Sequence, residues 1–350
     1  MKTVTVPVSK KYDVLIGRDI LRNIGGYALK TTAPCNAAII TDDIVDDLYA
    51  GVVEKSLKDS GFNVVKYVLA NGECSKNMDS FSSVLEFLAQ SEMSRSDIII
   101  ALGGGVVGDI AGFCASVYLR GIRFIQVPTT FLSAIDSSVG GKTGVNLLAG
   151  KNLAGSFWQP DLVVCDYLTL DTLSPSTFAD GISEAIKYGV ISSKNLFNTL
   201  KQVRFNDIME DIITQCVTIK RDIVIQDEFD TGARQLLNFG HTIGHCIEKL
   251  SGFKITHGHA VAIGMSVITK ASFNAGICSQ DLYDQLTRAL SANNLPVTCD
   301  FDANELYKTA ISDKKRKADK ITLIVPKEIG RCELYELGVG SLLDFITLGL

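Results

Sequence analysis

His241, His245, His257 and His259 are all the histidines this chain has, and they bunch in one stretch, LLNFGHTIGHCIEKLSGFKITHGHAVAIGM. Imidazole is the commonest metal ligand and the usual acid or base near neutral pH. Histidines scattered over a core or a surface would not gather this way, so any histidine chemistry is confined to one place. His241 and His245 are four apart, on one face of a helix and at a metal-ligand spacing. The zinc-protease form HExxH is absent, because Thr242 follows His241. His257 and His259 come after a glycine-containing turn. The cluster predicts a metal site. Spacing pairs His241 with His245 but does not settle which of the four ligate.

Other reactive side chains are cationic or embedded in glycine. Gly103-Gly104-Gly105-Val106-Val107-Gly108-Asp109 follows an apolar run and opens a helical one. Small residues there let backbone N–H groups approach a phosphate, helped by the positive end of a helix. The spacing fits G-x-G-x-x-G, yet it begins at residue 103 and lacks the ribose-binding acid of an ordinary Rossmann fingerprint further on. Diphosphate binding is the expectation, and a tight strand–helix turn is the alternative. Asp42, ending an early apolar run, suits ribose hydroxyls or the cap of a helix. The stretch PTTFLSAIDSSVGGKTGVN, from Pro128 to Asn146, is followed by Gly150-Lys151-Asn152. Its two lysines, Lys142 and Lys151, lie among small residues and suit an anionic substrate. It is not a P-loop, since Asp136 stands where that motif needs glycine. Glu184 and Lys187 share a helical face, which taken alone reads as a surface ion pair. Arg120 in YLRG and the pair Lys220-Arg221 have the same plain reading. The run Asp313-Lys314-Lys315-Arg316-Lys317 is a solvated loop unless one lysine reaches a phosphate.

Elements must hold these groups in place. The first half alternates apolar runs (AAIITDD, NVVKYVL, DIIIALGGG, IRFIQVPTT, LVVCD) with helical spacing, which predicts a parallel α/β sheet. Ligands then gather at the carboxyl ends of the strands. Past Ser174-Pro175 most segments read as helices, with KITLIVPKEIG as one late strand. The expected division is an α/β domain over 1–175 and a mainly α-helical domain over 176–350. Apolar residues make up 46% of the chain, enough for two cores, and the net charge of −5 gives no bulk attraction to nucleic acid. No run approaches the ~20 apolar residues of a membrane span, and the N-terminus lacks a signal-peptide core. Nine dispersed cysteines without a CxxC pair read as reduced thiols of a cytoplasmic protein.

Taken together, GGGVVGD, YLRG, QVPTT, DSSVGGKTGVN, GKN, the E-x-x-K at 184–187, LLNFGHTIGH, HGHAVAIGM and the late DKK resemble the 3-dehydroquinate synthase family of sugar-phosphate cyclases. The resemblance runs in the family's order from about residue 42 to residue 315. It implies an N-terminal NAD-binding α/β domain with a parallel sheet, a mainly α-helical C-terminal domain, a site in the cleft between, and a homodimer. It also implies a divalent metal, zinc or else cobalt. By motif, the metal ligands are Glu184, His241 and His257, which replaces the spacing-based pairing of His241 with His245. His245 takes the position of a proton-transfer group. NAD contacts fall on Asp42, Glu73, Lys76, Gly104, Gly105, Val106, Val107, Gly108, Asp109, Thr129, Thr130, Lys151, Thr169, Leu170, Asp171 and Thr172. Besides the three metal ligands, substrate contacts fall on Arg120, Asp136, Lys142, Asn152, Lys187, Lys220, Arg234, Asn238 and Lys314 or its DKK neighbour. Of these, Lys142 and Lys187 also count with the catalytic groups. Arg120 is the arginine that reaches the neighbouring subunit's phosphate.

Two positions depart from the family pattern. Asp230 stands where a glutamate usually accepts a proton, one methylene shorter, and His259 stands where HGEAV has glutamate. The implied reaction converts 3-deoxy-D-arabino-heptulosonate 7-phosphate to 3-dehydroquinate and phosphate. It runs through transient oxidation by NAD, phosphate elimination, re-reduction and an intramolecular aldol closure. This is a lyase step of the shikimate pathway. Asn152, Asn238 and His245 argue against a 2-deoxy-scyllo-inosose synthase. A metal-containing alcohol or glycerol dehydrogenase would not need Lys142, Lys151, Lys187, Lys220, Arg120 and Arg234. A non-catalytic binding module would leave all these positions idle.

Overall fold

The computed structural model describes residues 1–201, 205, 208–314 and 319–350, without the side chains of 313 and 314. The chain begins β1 (Lys2–Val6), β2 (Tyr12–Gly17), α1 (Ile24–Ala28), β3 (Asn36–Asp42), α2 (Asp43–Val45), α3 (Gly51–Asp59), β4 (Asn63–Leu69). It continues α4 (Met78–Gln90), β5 (Ile98–Gly103), α5 (Gly105–Val117), β6 (Arg123–Pro128), β7 (Lys142–Leu147), β8 (Gly150–Phe157), β9 (Leu162–Asp166). Seven of these strands form one sheet in the order β1-β2-β9-β6-β5-β3-β4. Only β1 and β2 pair antiparallel; the other neighbours are parallel.

The sheet is covered on both faces, which is why its strands read as unbroken apolar runs. Along β5, Ile98, Ile100 and Leu102 enter a core with Ile24, Val53 and Leu57 of α1 and α3. Ile99 and Ala101 point the other way, to Val84, Leu88, Ile110 and Cys114 of α4 and α5. From β3 the chain passes outward to β4, whereas from β5 it passes to β6 on the opposite side. The order reverses between β3 and β5, and in open α/β sheets the crevice outside such a reversal receives the ligand. Asp42 and Gly103 end the two strands there.

Then follow α6 (Pro175–Ser192), α7 (Lys194–Leu200), α8 (Met209–Gln226), α9 (His241–Leu250), α10 (His257–Asn274), α11 (Gln280–Ala292), α12 (Ala303–Lys314), β10 (Lys320–Glu328), β11 (Arg331–Gly338) and α13 (Leu342–Gly349). The chain divides into two units, Met1–Leu173 with Met209–Phe229, and Ser174–Ile208 with Asp230–Leu350. A single cut at 175 therefore misassigns α8. That helix packs on β1 and β2 and on the turn Ser133–Ser137, all of the first unit. Its amphipathic spacing says that it has a buried face, not which core receives it.

In the second unit α10 is apolar almost all round, with Ala260, Val261, Ala262, Ile263, Met265, Val267 and Ile268 buried. It is the central helix, packed against α6, α9, α11 and α13. Strands β7, β8 and β11 escape the periodicity reading, whereas β10 is the late strand it predicts. The glycine-rich segment expected to meet an anionic substrate forms the antiparallel hairpin β7–β8, and β10 pairs antiparallel with β11. The charged residues of RCELYELG hide the alternation of β11. Among the described residues no helix is long and apolar enough to cross a membrane.

Candidate metal centre and nucleotide crevice

Three helices of the second unit bring the metal candidates together. Glu184 lies in mid-α6 and is fully buried, while His241 and His257 are the first residues of α9 and α10. Oε1 of Glu184 is 3.6 Å from Nε2 of His241 and 3.5 Å from Nε2 of His257. Two ligands on a tetrahedral zinc at bonds of ~2.0–2.2 Å stand about 3.4 Å apart, so these donors fit one cation. In both rings the other nitrogen already faces an oxygen. Nδ1 of His241 is 3.1 Å from the carbonyl of Phe239, and Nδ1 of His257 is 3.3 Å from Oε2 of Glu248. A carbonyl or a carboxylate only accepts, so each Nδ1 carries the proton and each Nε2 is the ligand atom.

The electrostatics of the two rings differ. Burial, then the cation of Lys187, push His241 down to about 3, so its ring is neutral. Burial also opposes charge on His257, but hydrogen bonds to Glu184 and Glu248 and their negative charges outweigh it, raising it to about 10. Two buried carboxylates thus favour positive charge beside that ring. Lys187 pairs with Glu184 one turn away, the two being 1% and 0% exposed. The surface ion pair expected from their spacing is corrected: both groups are interior because α6 is enclosed along that face. His245 is exposed, with its ring centroid 5.4 Å from that of His241 and 6.0 Å from that of His257. Among the described residues two three-residue groups gather, Glu184 with His241 and His257, and His245 with Glu248 and His257; neither joins His241 to His245, the pairing drawn from spacing.

His259 stands outside this set. Its Nδ1 is 2.8 Å and its backbone N 3.0 Å from Oδ1 of Asp180, and Oγ1 of Thr256 donates to the same oxygen at 2.6 Å. These bonds tie the start of α10 to α6, one turn before Glu184. Between His257 and His259, a Cβ added to Gly258 would lie 2.3 Å from the Cα of Asp180. We expect Gly258→Ala to destabilise the chelator-treated protein by ~1–3 kcal/mol through overpacking and to weaken cation binding by displacing His257. Urea unfolding with and without chelator checks both effects.

Arg234 is buried and Asn238 exposed on the turn Ala233–Asn238 that leads into α9. Asp230 has φ of 59°, a left-handed conformation that the short side chain of aspartate tolerates better than most. Lys314 ends α12, and its side chain, like all of Lys315, lies outside the described residues.

The first unit holds the nucleotide candidates. The turn from β5 into α5 places Gly104 as the N-cap and Gly105, Val106, Val107, Gly108 and Asp109 in the first turns. A Cβ at Gly108 would lie 2.6 Å from Oε1 of Gln126 on β6, so glycine lets helix and sheet approach. Thr129 donates from its backbone N to the carbonyl of Gly103 at 3.0 Å, and Thr130 packs beside Gly104. Asp42 accepts from the backbone N of Val45 at 3.0 Å, so one carboxylate oxygen caps α2.

Lys76 binds Asp109 and, at 2.6 Å, Oδ1 of Asn152. Burial raises the pKa of Asp109, and the Lys76 charge partly opposes it. Glu73 accepts from Asn146 at 2.8 Å and stands 3.7 Å from Nζ of Lys151. Thr169, Leu170, Asp171 and Thr172 share the turn Tyr167–Thr172, where Tyr49 reaches Oγ1 of Thr172 at 2.6 Å and Asp171 faces Arg18 on the surface. Lys220, on α8, is buried against the carboxylate of Asp136. Lys142 is exposed on β7, and Arg120 is exposed with φ of 68°. The predicted substrate residues therefore divide between the units: Arg120, Asp136, Lys142, Asn152 and Lys220 in the first, and Glu184, Lys187, Arg234, Asn238, His241 and His257 in the second.

Known families match this arrangement along the chain. Residues 66–180 match the N-terminal model of 3-dehydroquinate synthase and residues 181–316 its C-terminal model. This chain belongs to the 3-dehydroquinate synthase family. The enzyme of that name from Streptococcus suis (strain 05ZYH33) is 41% identical over 353 residues, covering 99% of each chain. The one from Enterococcus faecalis (strain ATCC 47077 / OG1RF) is 42% identical over 351 residues, covering 99% of this chain and 98% of its own. Among solved structures, 2-deoxy-scyllo-inosose synthase, complexed with carbaglucose-6-phosphate, NAD+ and Co2+, superposes with a TM-score of 0.87 over all of both chains at 24% identity. At that identity it shows the shared fold alone.

Sequence reasoning missed Asp180 and Glu248. Glu248 had a signal, since it follows His241 by seven residues and His245 by three, on the same helical face. Asp180 had none, because its role depends on where α10 starts.

Proposed function

We propose that this chain is a 3-dehydroquinate synthase that converts 3-deoxy-D-arabino-heptulosonate 7-phosphate to 3-dehydroquinate and phosphate. The observation that carries this is one buried carboxylate, Glu184, facing Nε2 of both His241 and His257 at 3.5–3.6 Å, in a chain of this family. The enzyme is a phosphate-eliminating carbon–oxygen lyase of the shikimate pathway to chorismate and the aromatic amino acids. NAD is the cofactor of the first unit, and zinc, or cobalt, the cation of the second.

Bound between Glu184, His241 and His257, a divalent cation supplies Lewis acidity to substrate hydroxyls. NAD supplies an acceptor for a hydride that is later returned. Everything else falls to the chain's own residues. The amides from Gly104 to Asp109, at the start of α5, take the diphosphate of NAD. Lys142, Lys187, Lys220, Arg234, a DKK lysine and the partner-directed Arg120 neutralise the two anionic ends of the substrate and fix its pose. Asp136, Asn152 and Asn238 orient its hydroxyls. His245, exposed beside the two ligand rings, moves hydroxyl protons, with Asp230 as a second acceptor. The enzyme works as a homodimer in the cytoplasm on a small sugar-acid phosphate, with neither nucleic acid nor membrane as partner.

The test is incubation with the heptulosonate phosphate and NAD+ far below substrate. Phosphate released many times over the NAD present, without net NADH, is the expected result. Net reduction of NAD by a simple alcohol, with no phosphate released, would favour a dehydrogenase instead.

A further inference from the structure

We propose that Glu248 is a positioning residue of the cation centre, holding His257 in the one tautomer and ring orientation that present Nε2 to the cation. The inference rests on the reading of Glu184, His241 and His257 as cation ligands and adds a residue to it.

Glu248 lies on the face of α9 that carries His241 and His245, and it is only 3% exposed. A carboxylate is not held in such a place unless something compensates it. Its Oε2 is 3.3 Å from Nδ1 of His257. Because the carboxylate accepts, a proton is kept on Nδ1, so the nitrogen that gives up its proton to a cation is Nε2, the atom 3.5 Å from Glu184. The bond also fixes rotation of the ring, which would otherwise be free to swing, since His257 is 35% exposed and opens its helix. His241 has its Nδ1 held by a backbone carbonyl, that of Phe239, which no substitution removes. His257 has a side chain in that role, and a charged one, which makes its ring the more basic ligand. One carboxylate of α9 thus sets the aim of a ligand contributed by α10.

Cobalt binding to the whole protein tests this, measured by chelator competition and by the visible absorption of the bound ion. We expect one cobalt per chain in Glu248→Gln, bound about tenfold more weakly than in wild type, with an altered spectrum. Glu248→Ala should be weaker again, by up to about a hundredfold. The unfolding midpoint of chelator-treated Glu248→Gln should stay close to wild type, which separates positioning from a general loss of structure. An affinity within twofold of wild type and an unchanged spectrum in Glu248→Gln would overturn the proposal whether or not the alanine variant folds. So would two cobalt ions per wild-type chain with one lost in Glu248→Gln, since Glu248 would then be a ligand. His257→Ala is run in parallel. If it too binds cobalt normally, the ligand assignment itself fails; if it alone loses cobalt, only the role of Glu248 does.

Discussion

His257→Ala binds no stoichiometric zinc and loses at least about a thousandfold in kcat/KM, while NAD affinity and the fold are kept. The Lewis acid accounts for several kcal/mol of transition-state charge stabilisation, and ~4 kcal/mol corresponds to about three powers of ten in rate. Two ligands remain, Glu184 and His241, but the ring that closes the set is gone. The cost in stability is modest. His257 is partly exposed at the first residue of a helix, where alanine is a good helix former. The two carboxylates that lose this partner can take up a proton, so ~1–3 kcal/mol is the expected loss in chelator. Metal analysis of the purified variant, kinetics and urea unfolding measure the three quantities separately. Full zinc content with full activity would refute the assignment.

Glu184→Ala combines the same functional loss with a larger structural one. Glu184 and Lys187 are interior, and His241 and His257 also face that carboxylate. Taking it away leaves an ammonium in the core of α6 without its neighbouring anion. Breaking a buried pair from one side costs ~3–5 kcal/mol, far more than the intact pair contributes. Unfolding in chelator should therefore show Glu184→Ala clearly less stable than His257→Ala. Adding Lys187→Met should recover part of that loss without restoring cation binding, because the stray charge is gone but the ligand is still missing. A double variant no more stable than Glu184→Ala would mean that the ion pair is not what the single change disturbs.

Much of the first unit was legible because parallel strands covered on both faces must be apolar at every position, as in DIIIALG and AAIITD. The β7–β8 hairpin was not, since its glycines, lysines and asparagines carry loop chemistry while its backbone pairs. Nor was the placement of α8, because a helix's apolar stripe does not say which core it meets. At the site, the histidine cluster was visible from composition alone, but its grouping was not. H-x-x-x-H spacing selects residues on one helix, whereas this cluster draws one donor from each of three helices, and only the family motifs pointed to Glu184 and His257. The acid–base spacing of Glu184 and Lys187 is the same on a surface as in a core, so burial had to come from the packing of α6. Asp42 shows the reverse: the plain reading of an acid at a strand end, as a helix cap, is what one of its oxygens does.

The most direct test of the account is where the cation sits. The protein is loaded with one zinc per chain, crystallised, and measured on either side of the zinc absorption edge. The account predicts a single anomalous peak within about 2.0–2.2 Å of a Glu184 oxygen and of Nε2 on both His241 and His257. A peak held by His241 and His245 with Glu184 turned away, or none near Glu184 at all, would contradict it.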